Sequence, residues 1–293
     1  MSPISIDEAF LSSNPLPLHE EESDKQSRGR VLIVAGSREV PGAALLAACG
    51  ALRAGAGILQ IATCRSSAAF LGVAMPEAMV VGCDETAAGG LAPSNASRLT
   101  DLAAECDAVL IGPGMVDDEA VERLTCDIMR NAHGACFILD AAAFTTLRSS
   151  SSAPWRFATK VIVTPHAGEM ANFVSRPREE IERDPLAAAS TVASSLSAVV
   201  TLKGAVTYVV SDQGNAWISR NGAVGLATSG SGDALAGIMS GLVARKTAPS
   251  LAAAWAVYMH AEAGRRLAQK YGTLGLLARE IPDEIPAIMN AHR

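Results

Sequence analysis

Short apolar runs recur along this chain, and none of them alternates apolar with polar residues. Arg30–Gly36, Gly57–Thr63, Ala78–Gly82, Asp107–Gly114, Cys136–Asp140, Lys160–Glu169 and Ala198–Gly204 each read as a strand, most of them running into a glycine, a carboxylate or a polar turn. A strand that is apolar on both sides must be covered on both faces, so these runs predict a mainly parallel sheet between two layers of helices. An Ala/Leu-rich helix from Ala43 to about Ala54 and a helix over Asp117–Ala132 with acids in its first turn fall between the runs. The style changes late in the chain. Val206–Val210 and Ala216–Ser219 flank Asp212-Gln213-Gly214, a hairpin signal that adds an antiparallel edge. A loop over Arg220–Gly232 leads into a helix carrying Leu235, Ile238, Met239 and Leu242, and a long helix follows over Ser250–Tyr271. A last helical segment spans Leu276–Met289, interrupted near Pro282. The expectation is one three-layer α/β/α domain over residues 30–293, behind an N-terminal arm over 1–29 whose second half is rich in Pro, Ser and Glu.

Bulk properties narrow the function. The chain has 293 residues, 49% of them hydrophobic and 18% charged, enough to bury a large core. A net charge of −6 argues against a nucleic-acid binder or a basic membrane-surface protein. No apolar run approaches the roughly 20 residues of a membrane span, and Met1–Phe10 lacks the positive start of a signal peptide. Cys49, Cys64, Cys83, Cys106, Cys126 and Cys136 form no C-x-x-C pair and read as free thiols in a reducing cytoplasm. The histidines make no H-E-x-x-H cluster.

Chemistry concentrates at the ends of the strands, where open α/β sheets bind ligands. Thr228-Ser229-Gly230-Ser231-Gly232-Asp233 is a small, flexible loop running straight into an apolar helix. The first turn of such a helix presents unpaired N–H groups at the positive end of its dipole, and the glycines let an anion approach. Asp233 at the mouth of that anion hole is either a catalytic acid or a residue near a helix cap. Ser37–Ala43, Gly112–Gly114, Asp140, Thr164–Glu169 and Lys203–Thr207 fall on the same rim. Each alone has a structural reading: a Gly-Pro-Gly turn, an N-cap aspartate, a satisfied loop histidine, a solvated lysine. Their convergence points to a site. There is no G-x-x-x-x-G-K-[ST] and no G-x-G-x-x-G, which argues against a hydride-transferring Rossmann enzyme.

From about Lys25 to Pro286 the chain resembles the ADP/ATP-dependent NAD(P)H-hydrate dehydratase family of the ribokinase-like superfamily. The resemblance rests on Val31–Ser37, Pro41–Ala43, Ala51–Gly57, Met75–Glu77, Gly112–Gly114, Thr164–Met170, Leu202–Gly204, Gly230–Asp233 and Gly275–Ala278. The Thr-Pro-His-x-Gly-Glu-Met stretch is the most specific of these; Gly-Ser-Gly-Asp marks only the superfamily.

The resemblance implies a ribokinase-like fold and nucleotide-dependent dehydration of the hydrated cofactors NADHX and NADPHX, with ADP favoured over ATP and Mg2+ required. It implies Asp233 as general base and substrate contact, and Ala43, Gly114 and His166 as further substrate contacts. Lys203, Gly204, Ala205, Val206 and Thr207 would bind the nucleotide together with Gly230, Ser231 and Gly232, and Glu169 would meet the metal through water. It further implies a homo-oligomer and functional coupling to a separate NAD(P)HX epimerase. This sequence departs from the family pattern at Ala142, where a second acid after Asp140 is usual, at Ser229, where glycine is frequent, and at Asp24-Lys25-Gln26. Two alternatives stand beside this reading: an alcohol kinase of the same fold acting on a thiazole or hydroxymethylpyrimidine, and a catalytically silent nucleotide-binding protein.

Overall fold

Residues with branched or apolar side chains on both faces form the centre of one mixed sheet. Its strands are β1 (Ile4–Ser5), β2 (Arg30–Val34), β3 (Ile58–Cys64), β4 (Ala78–Cys83), β5 (Ala108–Ile111), β6 (Cys136–Leu139), β7 (Lys160–Val163), β8 (Val199–Leu202), β9 (Thr207–Val210) and β10 (Ala216–Ser219). The computed structural model describes residues 2–18, 24–145, 148 and 160–292. Among these, the strand order is β1-β10-β9-β8-β7-β6-β5-β2-β3-β4. Every pairing is parallel except β8 with β9 and β9 with β10, so the expected antiparallel edge is the β9–β10 hairpin.

The helices are α1 (Glu8–Ser13), α2 (Gly42–Arg53), α3 (Arg65–Ala74), α4 (Ala96–Ala104), α5 (Asp118–Asn131), α6 (Ala142–Thr145), α7 (Ala167–Val174), α8 (Arg178–Arg183), α9 (Pro185–Leu196), α10 (Ser231–Ala244), α11 (Pro249–Tyr271) and α12 (Ile281–Ala291). Successive strand residues point to opposite faces. Val31, Ile33, Leu59 and Ile61 pack on α2, α10, α11 and α12. Leu32, Val34, Val109 and Ile111 pack on α4, α5, α7 and α9. The result is the three-layer arrangement expected of non-alternating strands.

Two features differ from the sequence expectation. The stretch expected as an arm contributes β1, which pairs with β10, and α1, whose Leu11 is fully buried. Its residues 19–23 lie outside the described residues. Asn14 accepts a 2.8 Å hydrogen bond from the indole of Trp255, the largest fully buried side chain, which ties the segment to α11. Pro282 starts α12 instead of interrupting it, because a proline costs nothing in a first turn, where its N–H has no helical partner.

The layer over one face positions the site. α2 and α10 run side by side at very close range: a Cβ added at Gly237 would meet the carbonyl of Ala47 at 2.1 Å, and one at Gly241 the carbonyl of Ala51 at 2.4 Å. Both contacts advance by four residues in the same direction, so the helices are parallel. The contact runs back to the first turn of α10, where a Cβ added at Gly230 would meet Leu46 Cδ1 at 2.4 Å.

Candidate active site

Three parallel strands bring Asp140, Thr164 and Lys203 to one rim, just beyond β6, β7 and β8. Asp140 is 2% exposed, and its Oδ1 accepts hydrogen bonds from Thr164 Oγ1 at 2.6 Å and Lys203 Nζ at 2.8 Å. A buried ion pair needs further hydrogen bonds to offset its desolvation, and here the Thr164 hydroxyl adds a second one to the carboxylate. Burial alone pushes the Lys203 ammonium towards the neutral form, but the carboxylates of Asp140, Glu169 and Asp233 outweigh it and raise its pKa. The lysine therefore stays charged. Its backbone N–H donates to Pro165 O at 2.8 Å, and it bridges His166, which extends the β7–β8 pairing into the rim.

His166 and Glu169 open α7 by capping one another. His166 Nδ1 accepts from the N–H groups of Gly168 and Glu169 at 3.0 and 3.2 Å, and Glu169 Oε2 accepts from the N–H of His166 at 2.8 Å. This is a capping box with histidine in the place usually held by serine or threonine. An accepting Nδ1 carries no proton, so in the neutral ring the proton sits on Nε2, 3.5 Å from Glu169 Oε1.

Gly230, in the left-handed region at φ 86°, caps α10 without any side-chain hydrogen bond, which leaves the N–H groups of Gly232 and Asp233 available to a ligand, while that of Ser231 is shared with Thr228 O at 3.3 Å. A Cβ added at Gly232 would lie 3.2 Å from Lys203 Nζ. The ammonium therefore stands against the positive end of the helix, and together they make an anion hole. Asp233 sits in that same turn. Burial, then the neighbouring charge of Asp140, push its carboxyl up to about 7; Lys203 acts in the opposite direction and Glu169 adds to the rise. Ser231 Oγ lies 2.9 Å from His260 Nε2, and its carbonyl oxygen lies 3.1 Å from the same nitrogen.

A cavity of about 600 Å³ opens beside this turn, between the β9–β10 hairpin, α10 and α11. Val224, Leu226 and Val257 make an apolar wall, while Lys203, Thr207 and Ser231 line it with polar groups. Such a division suits a flat heterocycle carrying phosphates. On the other side of His166, a cleft of about 580 Å³ is lined by Ala142, Glu169 and Arg176 among others.

Ala43 and Gly114, both expected to meet substrate, come together at the ends of β2 and β5. A Cβ at Gly114, where φ is 64°, would approach that of Ala43 to 2.6 Å, so only glycine fits. The N–H of Gly36 donates to Pro113 O at 2.7 Å and joins the two loops.

Of the residues the sequence singled out for nucleotide, Lys203, Gly204, Ala205, Thr207, Ser231 and Gly232 line the larger cavity; Val206 and Gly230 do not. His166 lines both openings and Glu169 the smaller. Sequence reasoning missed His260, a single histidine within the long helix α11, and the pairing of Asp140 with Lys203 across 63 positions. Among the described residues no group of three or more His, Cys, Asp or Glu side chains could hold a metal ion, and no helix is long and apolar enough to cross a membrane.

Comparisons with known proteins give the family. A family model described as NAD(P)H-hydrate dehydratase matches residues 31–287. An ADP-dependent (S)-NAD(P)H-hydrate dehydratase of Xanthomonas campestris is 43% identical over 98% of this chain and 96% of its own length. The crystal structure of the ADP/ATP-dependent NAD(P)H-hydrate dehydratase of Bacillus subtilis, co-crystallised with ATP/Mg2+, superposes with a TM-score of 0.85 at 29% identity, covering all of both chains. A ribokinase-like superfamily protein of Enterococcus faecalis superposes at 0.81 with 26% identity, over 99% of this chain and 96% of its own. With its ribokinase-like α/β fold and a family match over nearly its whole length, this chain belongs to the NAD(P)H-hydrate dehydratase family.

Proposed function

We propose that the protein uses a nucleotide, ADP in preference to ATP, to dehydrate (6S)-NADHX and NADPHX back to NADH and NADPH. The observation that carries this reading is Asp233: a carboxyl group whose pKa is pushed up to about 7, in the first turn of a helix whose start stands against the Lys203 ammonium. A group with that proton affinity suits a general base at neutral pH. In this reading the substrate's nicotinamide ring rests on Ala43 and Gly114, with His166 on its other side. Asp233 takes the proton of the C6 hydroxyl as the hydroxyl oxygen attacks the terminal phosphorus of the nucleotide, whose bond to the bridging oxygen breaks and, with ADP, releases AMP. The N–H groups of Gly230, Ser231 and Gly232, with Lys203, stabilise the charge on the phosphoryl group in transfer. The C6–O bond then breaks with its electron pair leaving on phosphate, a far better leaving group than hydroxide, while water takes a proton from C5 and the C5–C6 double bond forms.

The donor set fits Mg2+ carried on nucleotide phosphates, not a cage of protein ligands. Mg2+ keeps several waters and takes one or two carboxylates. Glu169 is the carboxylate in reach through water, its Oε2 already accepting from His166. When bound, the ion supplies charge neutralisation to the phosphates.

The relative's name specifies the S form. An enzyme restricted to one epimer leaves the other untouched, so a separate epimerase completes the repair. The thiols of Cys49, Cys64, Cys83, Cys106, Cys126 and Cys136 fit a reducing cytoplasm. Phe70 and Val73, 76% and 85% exposed, stand on α3, which packs on the edge strand β4, and favour a homo-oligomer.

The test is return of dihydronicotinamide absorbance from NADHX with Mg2+ and either nucleotide. Recovery with wild type and none with Asp233→Asn supports the reading. Folded protein that restores no absorbance with either nucleotide sinks it.

A further inference from the structure

His260 has no part in the chemistry described above, yet its ring lies in the wall of the nucleotide-sized cavity and touches the anion-binding turn. Its Nε2 stands 2.9 Å from Ser231 Oγ and 3.1 Å from Ser231 O. One ring nitrogen offers either a proton or a lone pair. A lone pair would accept the serine hydroxyl but would face the carbonyl oxygen, another acceptor, at hydrogen-bond distance. A proton suits both neighbours at once, shared between the carbonyl and Oγ. The geometry therefore selects the Nε2–H form. Burial, and then the charge of Lys203, hold the ring's pKa down to about 4, opposed by its bond to the Ser231 backbone, so the ring is neutral at working pH.

The consequence falls on Ser231. Its Oγ accepts from His260, so its own O–H is free, and Ser231 lines the cavity beside Lys203 and Gly232. Resting on the nucleotide-dependent reading above, we propose that His260, in its neutral Nε2–H form, is a positioning residue that turns the Ser231 hydroxyl proton towards a nucleotide phosphate and pins the first turn of α10 to α11. His260 cannot itself serve the phosphate through Nε2, because that nitrogen is committed to Ser231.

Calorimetric titration separates this role from mere wall-filling. The ligands are Mg-ADP, which has phosphates, and adenosine, which has none; the proteins are wild type, His260→Leu, His260→Gln, Ser231→Ala and the His260→Leu/Ser231→Ala double variant. His260→Leu and Ser231→Ala are each expected to weaken Mg-ADP about tenfold, the worth of a hydrogen bond to a charged group. The double variant should be no weaker than either single one, since both remove the same interaction. His260→Gln, which keeps an N–H near the position of Nε2, should bind within about threefold of wild type, and adenosine should bind all variants alike. Equal weakening of ADP and adenosine by His260→Leu would overturn the proposal, as would a multiplicative loss of about a hundredfold in the double variant. If His260→Leu does not fold, Ser231→Ala and His260→Gln decide: either Ser231→Ala binding ADP as tightly as wild type, or His260→Gln losing tenfold on ADP alone, overturns it. Wild type that binds ADP but does not turn over NADHX sinks the dehydratase reading and leaves this comparison intact. Wild type that binds no nucleotide overturns both.

Discussion

The end of β6 and the first turn of α10 each present an aspartate to the same rim, in opposite surroundings. Asp140 is held by Thr164 and Lys203, both of which donate to its Oδ1. Asp233 feels the same lysine only through space, sits among the negative charges of Asp140 and Glu169, and is pushed up to about 7. The pair teaches a division of labour. One carboxylate holds a cation in place and keeps it charged; the other is short of partners, which in the proposed reading is what lets it take a proton. A motif search would rank them as two acids at strand and helix ends, and only their hydrogen bonds tell them apart.

The largest expected effect breaks the comparison at its reactive member. Asp233→Asn should lower kcat by about a thousandfold, the middle of the range for removing a general base, while Mg-ADP affinity changes by less than about threefold because the anion hole is intact. Steady-state kinetics with calorimetry checks both. A kcat within tenfold of wild type would mean that the proton goes elsewhere.

Next comes the structural member. Lys203→Met leaves Asp140 buried with Thr164 alone, and breaking a buried pair in this way costs about 3 kcal/mol. Urea unfolding should show that loss, and combining Lys203→Met with Asp140→Asn should recover at least half of it, because the orphaned charge is then removed as well. A single-variant loss below about 1 kcal/mol would place the pair with weak surface bridges.

Much of the fold was legible because parallel strands covered on both faces leave an unmistakable apolar run. The ends of β3, β4 and α11 fall within a residue of the sequence reading. The Asp212-Gln213-Gly214 turn was legible for a different reason: Gly214 takes the left-handed conformation that closes the hairpin. β1 was not, since two residues carry no periodicity and its pairing with Trp217 and Ile218 depends on a strand more than two hundred positions away. In the site, Asp233, Lys203 and His166 stood out through their motifs. The Asp140–Lys203 bond and the Ser231–His260 contact are tertiary, joining residues with no shared local pattern. A histidine in a helix reads equally well as core or as function until its partner is known.

A smaller effect sharpens the comparison through pH. As the proposed general base Asp233 would have to be ionised to act, so kcat/KM should rise about tenfold per pH unit below about 7 and level off above it. Asp140→Asn removes a neighbouring negative charge and should move the inflection down. The same raised pKa carries a stability cost of opposite sign. The folded state holds this proton more tightly than the unfolded chain, whose carboxyl titrates near 3.8, so Asp233 costs nothing below that pH. Its cost grows up to about 7 and is complete above it. Asp233→Asn should therefore be more stable than wild type at pH 8 by roughly 1–2 kcal/mol, allowing for water at the mouth of the site, and no more stable at pH 3. Equal stability at both pH values would mean that the carboxylate is not perturbed.

The smallest expected effect tests the departure from the family pattern beside Asp140. Ala142 lines the cleft shared by His166 and Glu169, two residues beyond Asp140. Ala142→Asp adds a negative charge at an open cleft, where screening limits any single charge to under about 1 kcal/mol. If Mg2+ on the nucleotide is reached from this side through Glu169, half-saturating Mg2+ should fall by about two- to threefold, with kcat changed less than that. Glu169→Gln should then move half-saturation the other way. A response in neither variant would take the metal away from this cleft and leave Glu169 with its capping of α7 alone. In that case Lys203 would be the main protein counter-charge to the phosphates, and the contrast between a fixed aspartate and a free one would describe the whole of the site's acid–base design.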